Sequence, residues 1–132
     1  MKSPKFSVVT CSFNQGKFLD STIRSVLDQG YPDLEYVVID GGSSDHSVRV
    51  IQRYADRLAY WVSEPDRGQT DALCKGFERT DGEIMGWLCS DDILLPGTVE
   101  YVVRFFAENP SVEAMYGDAL WMDADGRFIR PK

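Results

Sequence analysis

Histidine occurs once in this 132-residue chain, as His46, and cysteine three times, as Cys11, Cys74 and Cys89. The cysteines are widely spaced and form no CxxC pair, which argues against a disulfide framework and a zinc knuckle and leaves them as reduced thiols. Without a histidine base beside them, Cys11 and Cys89 read as small packing residues near one sheet edge rather than nucleophiles. His46 falls in the first turn of an expected helix and reads as solvent-facing. No apolar stretch approaches the roughly 18–20 residues that span a bilayer, and no signal-peptide cleavage site follows the N-terminus. A cytoplasmic setting is expected, with any membrane association supplied by a longer parent chain or its partners. Positive charge is short as well: 14 Lys and Arg against 21 Asp and Glu give −7, which argues against a nucleic-acid partner, since that affinity rests on clustered cations. A small anion could still be held by backbone amides or through a metal. Neither a Walker sequence nor GxGxxG follows the first expected strand, against a P-loop NTPase and a dinucleotide enzyme.

What is present is ordinary for a globular chain, 43% hydrophobic and 27% charged residues, and 132 residues suffice for one domain and not two. Residues 6–11 (FSVVTC) form a β-branched run and predict a strand. Leu19, Ile23, Val26 and Leu27 then recur on one helical face, stopped by Gly30 and Pro32. Residues 35–40 and 58–63 predict strands two and three, separated by a helix that turns Val48, Ile51, Tyr54 and Ala55 inward. A short helix with Leu73, Gly76 and Phe77 on one face follows the polar loop 64–70. Residues 83–89 (EIMGWLC) are so apolar that they predict a central strand covered on both faces, with Trp87 and Trp61 as core. Pro96 suits the first turn of a last helix buried through Val99, Val102, Val103 and Phe106. Residues 112–116 and 119–122 are shorter strand candidates, with 123–126 as a hairpin turn into residues 127–129. Four alternations of strand and helix imply an α/β fold, a mainly parallel sheet with helices on both faces.

Such sheets bind ligands beyond the carboxyl ends of their strands. Those ends carry Cys11-Ser12-Phe13-Asn14, Asp40-Gly41-Gly42, the loop from Glu64 to Gln69, and Ser90-Asp91-Asp92. Two adjacent aspartates after an apolar strand repel, and a divalent cation removes that penalty; hard oxygen ligands suit magnesium or manganese. The alternative is that Asp91 or Asp92 caps the following helix. Asp40 before two glycines could accept hydrogen bonds from a base or a ribose, or could close a local Asx-turn.

The ordered segments FSVVTCSFNQG, SVLDQGYPDLEYVVIDGGSSD, EPDRGQTDALCKG, GEIMGWLCSDD and PGTV closely resemble the N-terminal half of family-2 glycosyltransferases over residues 5–123. The resemblance implies a GT-A fold, a Rossmann-like sheet binding a nucleotide-diphosphate sugar, UDP-sugar being favoured, with a divalent cation. By position it implies nucleotide-binding roles for Thr10, Cys11, Phe13, Asp40, Arg67, Gln69, Asp71 and Asp91. Asp91 and Asp92 align with the acidic metal motif, the second as the more direct ligand. Two departures stand out. Cys89-Ser90-Asp91-Asp92 lacks the first acid of Asp-x-Asp-Asp, and Cys74 stands where relatives often carry asparagine.

The resemblance further implies that residues 1–132 are a single, incomplete nucleotide-sugar-binding domain, truncated at its C-terminal side. The acceptor, a sugar, lipid-linked or polysaccharide chain, and the general base of an inverting transfer are then expected beyond residue 132. Asp118, Asp123 and Asp125 are not assigned that role. An exposed sheet edge would allow a homodimer. A non-catalytic nucleotide-sugar-binding or interaction module is the alternative from another class. A nucleotidyltransferase is disfavoured, because the first loop lacks the glycines and basic residues such enzymes use.

Overall fold

β-Branched residues fit a pleated, buried surface, and the two richest runs lie side by side at the centre of the sheet. The computed structural model describes residues 3–130. β1 (Phe6–Ser12) pairs in parallel with β2 (Leu34–Asp40) on one side and β4 (Ile84–Cys89) on the other, and β2 carries β3 (Tyr60–Ser63), giving the order β3-β2-β1-β4. Helices α1 (Gly16–Leu27), α2 (Ser47–Arg53), α3 (Gln69–Phe77) and α4 (Thr98–Glu108) make the connections and the final cover. A short antiparallel pair, β5 (Trp121–Met122) and β6 (Phe128–Ile129), follows.

Alternate residues of the strands feed opposite faces. Phe6, Val8, Tyr36 and Val38 pack with Leu19, Ile23 and Val26 of α1, Val50 and Ile51 of α2, and Val99 of α4. Val9, Cys11, Val37 and Ile39 pack on Ala72, Leu73 and Phe77 of α3. The sheet thus has helices on both faces, as its alternation predicts. In α2 it is Val50 and Ile51 that are fully buried, because the helix is shorter than expected and ends at Arg53.

β4 corrects one expectation. It is an edge strand among the described residues, not a central one, and Met85 and Trp87 are 52% and 63% exposed. Its Ile84 and Leu88 join the α1 side, whereas α3 packs mainly on β1 and β2 and meets β4 at Cys89 through Gln69, which leaves Met85 and Trp87 on the opposite face exposed. An apolar run reports what a strand can bury, not whether anything lies over it. Trp61 packs against the core as expected; Trp87 does not. Residues 112–116 are likewise not a strand, since no strand pairs with them and Val112 N–H donates to the turn carbonyl of Asn109 at 3.0 Å, whereas the turn at 123–126 forms as predicted, Asp123 N–H donating to the Arg127 carbonyl at 2.9 Å. Among the described residues no helix is long and apolar enough to cross a membrane.

One buried polar pair joins the two central strands. Thr10 Oγ1 lies 2.8 Å from the Tyr36 hydroxyl, both groups buried, and burial pushes the Tyr36 phenol upward. Thr10→Val leaves that phenol unpartnered and is expected to cost about 1–3 kcal/mol in urea unfolding, with nucleotide affinity unchanged. An affinity loss without a stability loss would place Thr10 at the ligand instead.

Candidate functional site

The order β3-β2-β1-β4 reverses its direction of winding between β1 and β4, and a crevice opens beyond the carboxyl ends of these two strands. The cleft there measures about 520 Å³. Cys11, Ser12 and Phe13 follow β1, Cys89, Ser90 and Asp91 follow β4, and Gly68, Gln69 and Ala72 of the α3 start form the third wall. Gln15, Gly41 and Asp66 complete it, and a Cβ at Gly41 would lie 2.8 Å from Asp66 Oδ2. Only a residue without a side chain allows that approach.

Of the residues expected to bind nucleotide, Cys11, Phe13, Gln69 and Asp91 line this cleft. Phe13 is 61% exposed and offers a free ring face. Cys11 and Cys89 are register partners on adjacent strands, and Gln69 Nε2 donates to Cys89 Sγ at 3.1 Å. Burial, then the neighbouring Cys89, pushes the Cys11 thiol up to about 11, so it is protonated at neutral pH and suits packing rather than attack. Arg67 and Asp71 sit together outside the lining: the Arg67 guanidinium and backbone N–H both donate to Asp71 at 3.1 Å, and these bonds hold its carboxyl below the ordinary value.

Thr10 and Asp40 lie beneath the cleft and not in its lining. The Thr10 hydroxyl is spent on Tyr36. Asp40, fully buried, accepts from Ser43 N–H at 2.8 Å and from the Ser43 and Ser63 hydroxyls at 2.6 Å each. Asp40 thus closes the strand-to-helix loop, through the N–H of the third residue on rather than the second residue of an Asx-turn. The cap alternative for the acidic pair is not observed: α4 starts at Thr98, with Gly97 in the left-handed region (φ 78°) as its N-cap.

Asp91 and Asp92 make no ion pair or side-chain hydrogen bond with the described residues. Burial, then the adjacent Asp91, raises the Asp92 carboxyl above its usual range. Asp91 also borders a second cavity of about 780 Å³, shared with Asp92, Leu94, Asp118, Trp121 and Phe128. Asp91 thus stands where the two cavities meet, and Asp92 lines the second.

The sequence alone places Ser12 and Asn14 at this end of β1 but assigns them no part in building the site. Asn14, in the left-handed region at φ 51°, accepts from Ser44 and Asp45 N–H and donates its own N–H to Ser43 Oγ, tying the β1 loop to the β2 loop. Asp45 extends the tie by accepting from Gly16 N–H at 2.9 Å, at the start of α1. Ser12 Oγ is buried on the cleft lining without a hydrogen-bond partner among the described residues. An orphaned hydroxyl at a cleft floor marks a place where a ligand or water is needed.

The model of Glycosyl transferase family 2 matches residues 7–117. The chain belongs to this family. An uncharacterised glycosyltransferase of Mycobacterium tuberculosis (strain H37Rv) is 36% identical over 117 residues, covering 87% of this chain and 45% of that protein. A Bacillus subtilis protein named for teichuronic acid biosynthesis, TuaG, is 31% identical over 93% of this chain and 50% of its own length. The chain thus spans about half the length of these family relatives. Among solved structures, the mannosyltransferase PcManGT of Pyrobaculum calidifontis, in complex with GDP-Man and Mn2+, superposes with a TM-score of 0.74 at 26% identity, over 83% of this chain and 34% of that one. The fold is the GT-A fold that the resemblance implies.

Proposed function

We propose that residues 1–132 are the donor-binding part of a glycosyltransferase, holding a nucleotide-diphosphate sugar, with UDP as its nucleotide, together with magnesium or manganese. The observation that carries the reading is the cleft at the point where the sheet reverses, with a buried unpartnered Ser12 hydroxyl in its floor, Asp91 on its wall and Asp92 next to it in the adjoining cavity. Phe13 offers a stacking face to the base, Cys11, Gln69 and Ala72 wall the nucleoside, and Thr10 and Asp40 support the floor from below. Arg67 and Asp71 form the rim, and the diphosphate reaches Asp91 and Asp92.

The acidic pair fits a hard divalent cation, because its carboxylates are adjacent and unpaired among the described residues, and burial, then the neighbouring Asp91, already disfavours the charge on Asp92. Bound there, the cation would stabilise the charge that develops on the diphosphate as the bond to the anomeric carbon breaks. Among the described residues no third His, Cys, Asp or Glu joins the pair. Two carboxylates leave most of the coordination shell to phosphate oxygens and water, so cation and nucleotide should each tighten the other.

The acceptor hydroxyl, on a sugar, lipid-linked or polysaccharide chain, attacks the anomeric carbon from the side opposite the diphosphate, which inverts the centre. Its general base belongs to the remainder of the parent protein. The relationship to TuaG supports a setting in polysaccharide assembly. The uncovered Met85 and Trp87 on β4 favour a second reading, an interaction module that docks without catalysis or pairs as a homodimer.

Calorimetric titration of UDP, GDP and dTDP into the chain, with manganese and with EDTA, tests the donor reading. One nucleotide, UDP, is expected to bind, about 5–150-fold more tightly with manganese. A folded chain that binds none of the three moves the interaction module ahead.

A further inference from the structure

Helix α1 carries Thr22 and Ser25 on one face beside its apolar stripe, and Gln29 follows just past its C-cap, Asp28. All three hydrogen-bond the backbone of the segment between β4 and the first turn of α4. The Thr22 hydroxyl, fully buried, lies 2.9 Å from the Ser90 carbonyl and 2.8 Å from the Asp92 carbonyl, sharing its one proton between them. Ser25 Oγ accepts from Leu94 N–H at 3.1 Å and donates to the Thr22 carbonyl at 2.8 Å. Gln29 Nε2 donates to the Leu95 carbonyl at 3.0 Å, and its Oε1 accepts from Val99 N–H at 3.1 Å.

We propose that Thr22 is a positioning residue for the acidic pair, its hydroxyl holding the Ser90 and Asp92 carbonyls so that Asp91 stays on the wall shared by the two cavities and Asp92 in the second. This deepens the donor-site reading and rests on it. Without the tie, like charge at Asp91 and Asp92 would drive the loop apart, because its remaining backbone restraint at this point is the turn from Asp92 N–H to the Cys89 carbonyl, 3.1 Å. Threonine suits the task because branching at Cβ restricts χ1 and keeps the hydroxyl aimed. Ser25 and Gln29 fasten the same segment farther along, so the loop is fixed at three levels from α1 and the turn that ends it.

Thr22→Val keeps the volume and removes the hydroxyl, and Thr22→Ser restores it. Manganese-dependent UDP binding is expected to weaken about 10-fold or more in Thr22→Val, the usual effect of losing a group that orients metal ligands, and to return to within about 3-fold in Thr22→Ser. UDP binding in EDTA should be the same in all three proteins, a distinction that general destabilisation would not produce. Hydrogen exchange at the Asp92 and Leu94 amides, measured without metal or nucleotide, should speed up in Thr22→Val while β1 and β2 stay protected. Equal cation-dependent affinity in Thr22→Val, or no rescue by Thr22→Ser, overturns the proposal. If the wild type binds no UDP with manganese, the donor reading fails, and unchanged exchange at 90–95 in Thr22→Val then overturns the positioning role separately. Should Thr22→Val not fold, Ser25→Ala removes the Leu94 tie and should shift exchange and cation-dependent affinity in the same direction.

Discussion

Asp92→Asn is expected to abolish cation-dependent nucleotide binding, by about 100-fold or more in affinity, and to leave the chain at least as stable as the wild type at pH 7. The two effects have one cause. Asp92 is a carboxylate held beside a second one, partly out of water, with no cation among the described residues to neutralise either. A metal site with two protein carboxylates loses half of its anionic ligands when one becomes an amide, and the loss exceeds the 10–100-fold seen for groups that only orient a ligand. The stability sign follows from the raised carboxyl. The native state holds this proton more tightly than the unfolded chain, so the stabilisation from Asp92 is complete below the ordinary aspartate value of 3.8 and is lost as pH rises through the raised value. At pH 7 the charge is therefore a burden that asparagine removes. Thermal melts of both proteins at pH 7 and below pH 4 should show an advantage for Asp92→Asn only at the higher pH. Asp91→Asn should weaken binding less. A larger loss at Asp91, or a lower melting temperature for Asp92→Asn at pH 7, would reverse the assignment of the principal ligand or the account of its cost.

The sheet was legible because its signals are local. β-Branched runs at Phe6–Ser12 and Leu34–Asp40, and a helical stripe at Leu19, Ile23 and Val26, each determine their own element and its buried face. The cleft followed from them, since the ends of parallel strands must converge on one edge. What failed was tertiary. Nothing in EIMGWLC says whether a neighbour covers Met85 and Trp87, and edge and central strands can share one composition. The same limit applied to the polar residues that build the site. Thr22 and Gln29 look like solvent-facing helix positions until the loop from β4 is seen to lie on them. Asp40 offered two readings in the sequence, and only the positions of Ser43 and Ser63 show that its carboxylate is taken up within the loop. Asn14 has its left-handed backbone in a loop whose partners come from another loop about 30 residues away, as the bond from Ser44 N–H shows.

Gly76→Ala is expected to destabilise the chain by about 1–2 kcal/mol, lowering its melting temperature by about 3–10 °C, and to weaken nucleotide binding without changing its cation dependence. Gly76 lies where α3 crosses the sheet. A Cβ built there would be 2.3 Å from Val9 Cγ1, 3.1 Å from Val9 Cγ2 and 3.3 Å from Ile39 Cγ1. Val9 is fully buried and branched at Cβ, so turning its methyls away from the intruder drives them into the surrounding core. The helix must move instead. Alanine's better helix propensity returns about 1 kcal/mol, which is why the net loss falls below the roughly 1–3 kcal/mol of a plain overpacking change. Moving α3 matters to the site because its first two turns bring Gln69 and Ala72 into the cleft, and Gln69 reaches Cys89 only at the present separation of helix and sheet. UDP affinity should therefore fall with and without manganese by the same factor, whereas Asp92→Asn should remove only the manganese-dependent part. Measuring both variants in the same titration separates a wall that has moved from a ligand that is missing. If Gly76→Ala melts with the wild type and binds as well, then β1 and α3 tolerate a wider spacing than their contact implies, and the cleft wall is not set by the glycine.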